Sequence, residues 1–439
     1  MDGNTISLFM FVALLGVLVL GMHISFGLYA VAIGFTYFLW GTPALNTTIM
    51  SIWGMMNNFP LVAVPLFIFM AMIMEKSDLV ADMYDCFYKW SGSAFRGGLA
   101  IATIFAGALI GAVSGVVAAG VIGLGVIALP QMAKYGYDRG VNMGSILAGG
   151  TLGQIIPPSL VMIIYCAVSN VSVGKLFAAG VSAGLLLVAL FSIYILVRAY
   201  IQKDFCPALP ADKTVSWKEK FISLRVLILP GILIVGTVGS ILSGMATPTE
   251  GAGFGAFGAV LFSIITGRFK FRMLRDTMFE TLKVSSMIAW MVGGAASFSS
   301  VFAGIGGNQV ITNMAMNMPG GKWGVLLLFV AFIFVLGMFL ETMAIILLAA
   351  PIVSPIIVQL GFDPLWWAII FMTLLQAAYL TPPFGLSLFY LKGVTPPDIR
   401  LADIYTASLP FVVMQMVGVA LIILFPVMGL WLPWMLYGQ

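Results

Sequence analysis

The chain has 439 residues, of which 61% are hydrophobic and only 8% charged, with a formal net charge of +4. Soluble globular chains carry roughly 25% charged residues, so this composition excludes a water-soluble enzyme or binding module and reads as a polytopic membrane protein. The basic residues lie in loops beside apolar runs, where membrane topology and lipid account for them and nucleic acid does not.

The N-terminus, Met1-Asp2-Gly3-Asn4-Thr5-Ile6, lacks the positive n-region of a cleaved signal peptide, so residues 6–24 read as a retained first span. Further crossings are expected at 25–41 and 60–75. The segment Lys76 to Arg96, with Asp78, Asp82, Asp85 and Lys89, is too polar to span and reads as an amphipathic helix at the inner interface. Two short apolar runs follow, 97–113 and 116–132, joined by Ala112-Val113-Ser114-Gly115. Such a pair meeting at a small, polar tip predicts a re-entrant hairpin. Residues 141–170 are apolar enough to cross, yet contain Pro157-Pro158 within Gly149 to Ser159. After a crossing at 178–200, the charged stretch 201–224 reads as a cytoplasmic linker.

The second half repeats this order. Crossings are expected at 226–243, 250–267 and 284–305, a hairpin at 324–340 and 343–358 around Leu340-Glu341-Thr342, a broken helix at 366–392 with Pro382-Pro383, and a last crossing at 408–432. Pro157-Pro158 and Pro382-Pro383 are 225 residues apart, and Tyr165 and Tyr390, Pro130 and Pro355, Gly136 and Gly361, and Asp138 and Asp363 share that offset. With ten crossings and both termini outside, all but two of the 20 basic residues, Lys175 and Lys322, face inward. Five crossings per half turn the second copy upside down, giving one inverted repeat in residues 1–200 and another in 225–439. The expected fold is an all-α inverted-repeat secondary transporter with two re-entrant hairpins and two proline-broken helices.

Proline removes an amide and displaces the carbonyl four residues before it, so oxygens near Gly153 and Ile156, and near Ala378 and Thr381, offer ligands for a hard cation such as sodium. Ser114 and Gly115 at the first tip and Gly337 near the second complete each shell; the alternative is a simple proline kink. Among the acidic residues only Glu250 and Glu341 lie well inside apolar sequence. Glu341 is either functional or bonded to backbone at its tip, and Glu250 follows Thr247 in a pattern that caps a helix. The glycines, 49 in all, serve close helix packing, and the 28 methionines and 33 phenylalanines identify no cofactor. Cys86, Cys166 and Cys206 have neither disulfide nor zinc-site spacing. The single histidine, His23, sits in a short polar turn with no nucleophile–base arrangement and no phosphate-binding loop nearby, which argues against a membrane enzyme or an ATP-driven pump.

Arg96-Gly97-Gly98-Leu99-Ala100, Gly111-Ala112-Val113-Ser114-Gly115, Gly136-Tyr137, Gly149 to Ser159, Ala246-Thr247-Pro248-Thr249-Glu250 and Gly337-Met338-Phe339-Leu340-Glu341 together resemble the large membrane subunit, DctM type, of tripartite ATP-independent periplasmic (TRAP) transporters, over essentially the whole chain. The resemblance implies a sodium-coupled importer of organic acids in the bacterial inner membrane, moving an elevator-like domain against a scaffold. It implies a small four-helix membrane subunit and a periplasmic binding protein as partners; a binding-protein-independent sodium/carboxylate carrier is the alternative. Family sodium sites fall on Gly111, Ser114, Gly153, Ile156 and Pro158 in one half, and on Gly337, Ala378, Thr381 and Phe384 in the other. Substrate contacts are expected from Ser114, Ser299 and Glu341. The chain departs from many relatives in following Gly115 with Val116-Val117-Ala118 rather than further serines, in having Glu341 where aspartate is frequent, and in lacking the arginine that some sialate-type members have near Ser299.

Overall fold

In the computed structural model, residues 3–77, 79–91, 95–202, 204–208, 215–316 and 318–438 are described, and among them every regular element is a helix. The first half contains α1 (Gly3–Val19), α2 (Ile24–Trp40), α3 (Leu45–Met56), α4 (Phe59–Glu75), α5 (Leu79–Ser91), α6 (Gly98–Ser114), α7 (Val117–Lys134), α8 (Arg139–Thr151), α9 (Leu160–Ser169) and α10 (Val173–Ile201). The second contains α11 (Trp217–Ser223), α12 (Arg225–Ile234), α13 (Ser240–Leu242), α14 (Pro248–Ile265), α15 (Phe271–Gly304), α16 (Gly307–Met316), α17 (Gly321–Gly337), α18 (Thr342–Gln359), α19 (Pro364–Leu380), α20 (Leu386–Lys392), α21 (Leu401–Leu424) and α22 (Val427–Tyr437). Seven helices among the described residues are long and apolar enough to cross a membrane, and the α3–α4 pair, bent by 57°, makes an eighth.

Local chemistry sets the matching starts. The Asp138 carboxylate accepts from Gly140 N at 2.8 Å and opens α8; the Asp363 carboxylate accepts from Trp366 N at 2.6 Å and opens α19, with Pro364 preset for the first turn. Packing repeats at the same offset. Helix α6 lies on α8 as α17 lies on α19, α9 packs on α18 as α20 packs on α7, and α4 packs on α14 as α2 packs on α15.

Four expectations require correction. The linker 201–224 contains α11, held by a capping box in which Ser216 Oγ accepts from Glu219 N and the Glu219 carboxylate accepts from Ser216 N. Lys203 and residues 209–214 lie outside the described residues. The basic stretch before 284 is the start of the 34-residue α15, since Arg, Met, Leu and Glu all favour helix and charge alone does not end one. The last span ends at Leu424, because Pro426 supplies no amide to continue α21 and instead opens α22. Helices α3 and α16 fill segments left unassigned by hydropathy. The interfacial arm is helical as α5, although Asp78 lies outside the described residues. Ion pairs Lys76–Glu280 and Arg268–Asp82, each 2.6 Å, tie the arm region to α15 and the turn before it.

Candidate functional site

Each helix pair that forms a hairpin points its tip at the break of the neighbouring helix. In the first, α6 ends where Gly115 takes a left-handed conformation (φ 61°) and its amide donates to Gly111 O at 2.7 Å. A Cβ at Gly115 would stand 2.9 Å from the Pro158 carbonyl oxygen, so the tip touches the break directly. Along the same seam α6 meets α8 backbone to backbone. A Cβ on Gly153 would fall 2.5 Å from Gly111 Cα, and one on Gly149 would fall 2.8 Å from Thr103 O. Helix α7 closes the other side, where a Cβ at Gly120 would stand 2.9 Å from Gly150 O. Glycine is required here because no side chain fits between the two backbones.

The first break runs from Ile155 to Ser159. Both prolines lack an amide, and among the described residues no backbone hydrogen bond ends on the carbonyl of Ile156 or Pro158. The Ser159 hydroxyl donates to Gln154 O at 2.6 Å and bridges the gap. Ser114 is buried, and its hydroxyl folds back on Val116, 3.4 Å from both its N and its O.

The second tip repeats the arrangement with different residues. A Cβ on Gly337 would collide with the methyl group of Ala378, and Phe384 N donates to Met338 O at 3.2 Å, stitching tip to break. The Ala378 carbonyl accepts from Thr381 N and the Thr381 carbonyl from Gly385 N, both at 3.1 Å, so this break is more fully bonded to itself than the first. A carbonyl has two lone pairs, and each retains one for a cation. Between tip and break lies a cavity of about 10 Å³ lined by Gly337, Leu340, Thr342, Ala378, Tyr379 and Phe384. That is close to the space one water or one small ion fills.

Glu341 occupies the N-cap position of α18, exposed at the tip, with its carboxylate facing the amides of Met343 and Ala344. Ser299 is half-buried on α15, a helix that packs against α18, and lies outside the tip–break contact. Glu250 caps α14: Thr247 N and Oγ1 each donate to its carboxylate at 2.8 Å, and Glu250 N donates to Thr247 Oγ1 at 3.3 Å.

Three polar residues of this region escaped sequence reasoning. Gln376 Nε2 donates to Thr151 Oγ1 at 3.4 Å, both residues fully buried and 225 positions apart. Gln154, within the turn before the first break, is 1% exposed and neither side-chain polar atom has a partner among the described residues. Their sequence signal was faint, one amide in each apolar segment just ahead of its proline pair.

The DctM component of the tripartite ATP-independent periplasmic transporters has a family model that matches residues 11–428. The chain is 32% identical to the C4-dicarboxylate TRAP transporter large permease protein DctM of Pseudomonas aeruginosa, across 91% of this chain and 92% of that protein. It is 31% identical to the ectoine/5-hydroxyectoine TRAP transporter large permease protein UehC of Ruegeria pomeroyi, across 96% and 97%. Among solved structures it resembles the YdaH transporter of Alcanivorax borkumensis, with a TM-score of 0.60, 99% of each chain covered and 13% identity, a likeness of fold alone.

Proposed function

The chain belongs to the DctM family of TRAP transporter large permeases, a multi-pass inner-membrane transport component and not an enzyme, and from that premise we propose that it moves an organic acid inward on a sodium gradient. The observation that carries the reading is the pair of tip–break contacts, in which two hairpins at matching offsets each bring carbonyl oxygens against a proline-interrupted helix. Gly111, Ser114, Gly153, Ile156 and Pro158 hold one sodium ion and Gly337, Ala378, Thr381 and Phe384 the other. Carbonyl and hydroxyl oxygens suit such a hard cation, and broken helices at mid-membrane are where transporters place them.

Substrate meets Ser114 and Glu341 at the tips and Ser299 on α15. The carboxylate of the substrate is received by the uncapped N-terminus of α7 at the first tip, since the Glu341 carboxylate already faces the first amides of α18. The interlocked helices α6 to α9 and α17 to α20 form the moving unit of an elevator, and α1 to α4 with α12 to α15 form its scaffold. Residues 1–200 and 225–439 are the inverted repeats, and the hairpins are re-entrant. A small membrane subunit completes the scaffold and a periplasmic binding protein delivers the substrate, consistent with a tripartite family.

The test is uptake by proteoliposomes holding the chain with both partners. Import is expected only under an inward sodium gradient. Undiminished uptake in sodium-free buffer, driven by protons or potassium, overturns the ion assignment.

A further inference from the structure

A cavity of about 360 Å³ opens where α7 ends and α8 begins, and the segment joining α20 to α21 closes its far side. Its wall is apolar, formed by Val126, Leu129, Met143, Val394, Pro396 and Ile399. Three polar groups line it. Arg139 Nη2 and Asp398 Oδ2 pair at 3.0 Å and join the two halves of the chain across the mouth. The third, Asn142, is only 4% exposed. Its Nδ2 donates to Leu129 O at 3.1 Å, which fixes the orientation of the amide, and its Oδ1 is buried in the wall with no partner among the described residues.

The cavity therefore presents a guanidinium and a carboxylate beside apolar surface. Its complement carries an anionic group, an ammonium that still has N–H bonds, and an apolar body. Helix α7 is among those apolar enough to cross a membrane and ends at Lys134, which sets the cavity at the depth where acyl chains give way to headgroups.

We propose that this cavity binds an aminophospholipid, with its phosphate on Arg139, its primary ammonium on Asp398, and an acyl chain along Val126 and Leu129. Neither a tip nor a break residue lines the cavity, so the proposal stands apart from the sodium reading. The chemistry discriminates sharply. A choline headgroup has no N–H to give to the Asp398 carboxylate, and a glycerol headgroup brings it no cation.

The test uses the full chain, delipidated in detergent, with phosphatidylethanolamine, phosphatidylcholine or phosphatidylglycerol added back, read by native mass spectrometry and thermal unfolding. One phosphatidylethanolamine per chain is expected to survive activation that strips the other two, and to raise the unfolding temperature most. Asp398→Asn, at an exposed position where the fold is expected to survive, is expected to erase that preference. Equal retention of the three lipids, a preference for phosphatidylglycerol, or an ethanolamine preference that survives Asp398→Asn overturns the site. Free phosphoethanolamine is expected to give no shift; a shift equal to that of the lipid overturns the lipid assignment in favour of a soluble zwitterion.

Discussion

Gly153→Ala tests the seam between hairpin and broken helix with a single methyl group. The new Cβ would stand 2.5 Å from Gly111 Cα, 3.2 Å from its carbonyl carbon and 3.3 Å from its oxygen, where ordinary contacts begin at 3.4 Å. Since every one of those atoms is backbone, α6 as a whole must retreat by about 0.9 Å. Overpacking on this scale costs about 1–3 kcal/mol, against which the helix gains about 0.5–1 kcal/mol on losing a glycine. Gly253→Ala on α14 supplies the control, because its Cβ meets nothing within 4 Å and the variant keeps only the gain. A gap of about 2 kcal/mol between the two is expected in thermal unfolding in detergent. The retreat also draws Gly115 off the Pro158 carbonyl, so the rise in unfolding temperature on adding sodium should shrink in Gly153→Ala and persist in Gly253→Ala. If both variants unfold together with equal sodium responses, the seam is not tight and the site built on it fails.

The second seam permits a size swap: Gly337→Ala should lose transport and stability, and Gly337→Ala with Ala378→Gly should recover both, since the methyl group merely changes sides; no recovery would place the two residues apart. Glu341→Gln keeps size and hydrogen-bonding capacity while removing charge, so assembly should survive while sodium-driven uptake falls; normal uptake would reduce Glu341 to a tip-bonding residue. Burial, with the charge of Asp138 adding to it and Arg198 opposing, pushes the Cys206 thiol up to about 12. With Cys86 and Cys166 replaced by serine, maleimide labelling of the native chain at pH 8 should therefore run about a thousandfold slower than for a thiol at the ordinary 9.0 and climb with pH, and rapid labelling at pH 8 would contradict the packing of Cys206. A cysteine at Lys213, a position outside the described residues, should be shielded from impermeant reagent outside spheroplasts, and one at the exposed Asn313 should react; the reverse would invert the topology.

The boundaries of α6 and α7 were legible almost to the residue, whereas α17, expected at 324–340, runs three residues earlier at Gly321–Gly337. Apolar runs expected at 97–113 and 116–132 are helices 98–114 and 117–134, because an αL glycine at the tip is a backbone feature that sequence displays openly. The cap by Glu250 was equally visible in Thr247-Pro248-Thr249-Glu250. Hydropathy could not find α16 or α11, whose amphipathic or short sequences lack the long apolar run that marks a span. Nor could it pair glycines across helices. Gly149 and Gly153 are four apart and so share one face of α8 and the turn that continues it, but the spacing does not say that α6 is what they face.

The contact between Thr151 and Gln376 carries more than its 3.4 Å hydrogen bond. Under the proposed inverted repeat these two residues are equivalents, and a pair related by a two-fold stands twice as far apart as either stands from the axis. Touching side chains therefore put the axis between α8 and α19. Gly153 follows Thr151 by two residues and Ala378 follows Gln376 by two, a rise of about 3 Å in each case. Both candidate sodium positions thus begin within one helical turn of the axis, on legs joined to each other by a buried bond. A shift of one leg along its own direction must strain that bond or carry the other leg with it. Under the proposed sodium sites, occupancy of one break would be felt at the other through this bond, without passing through the proposed scaffold helices.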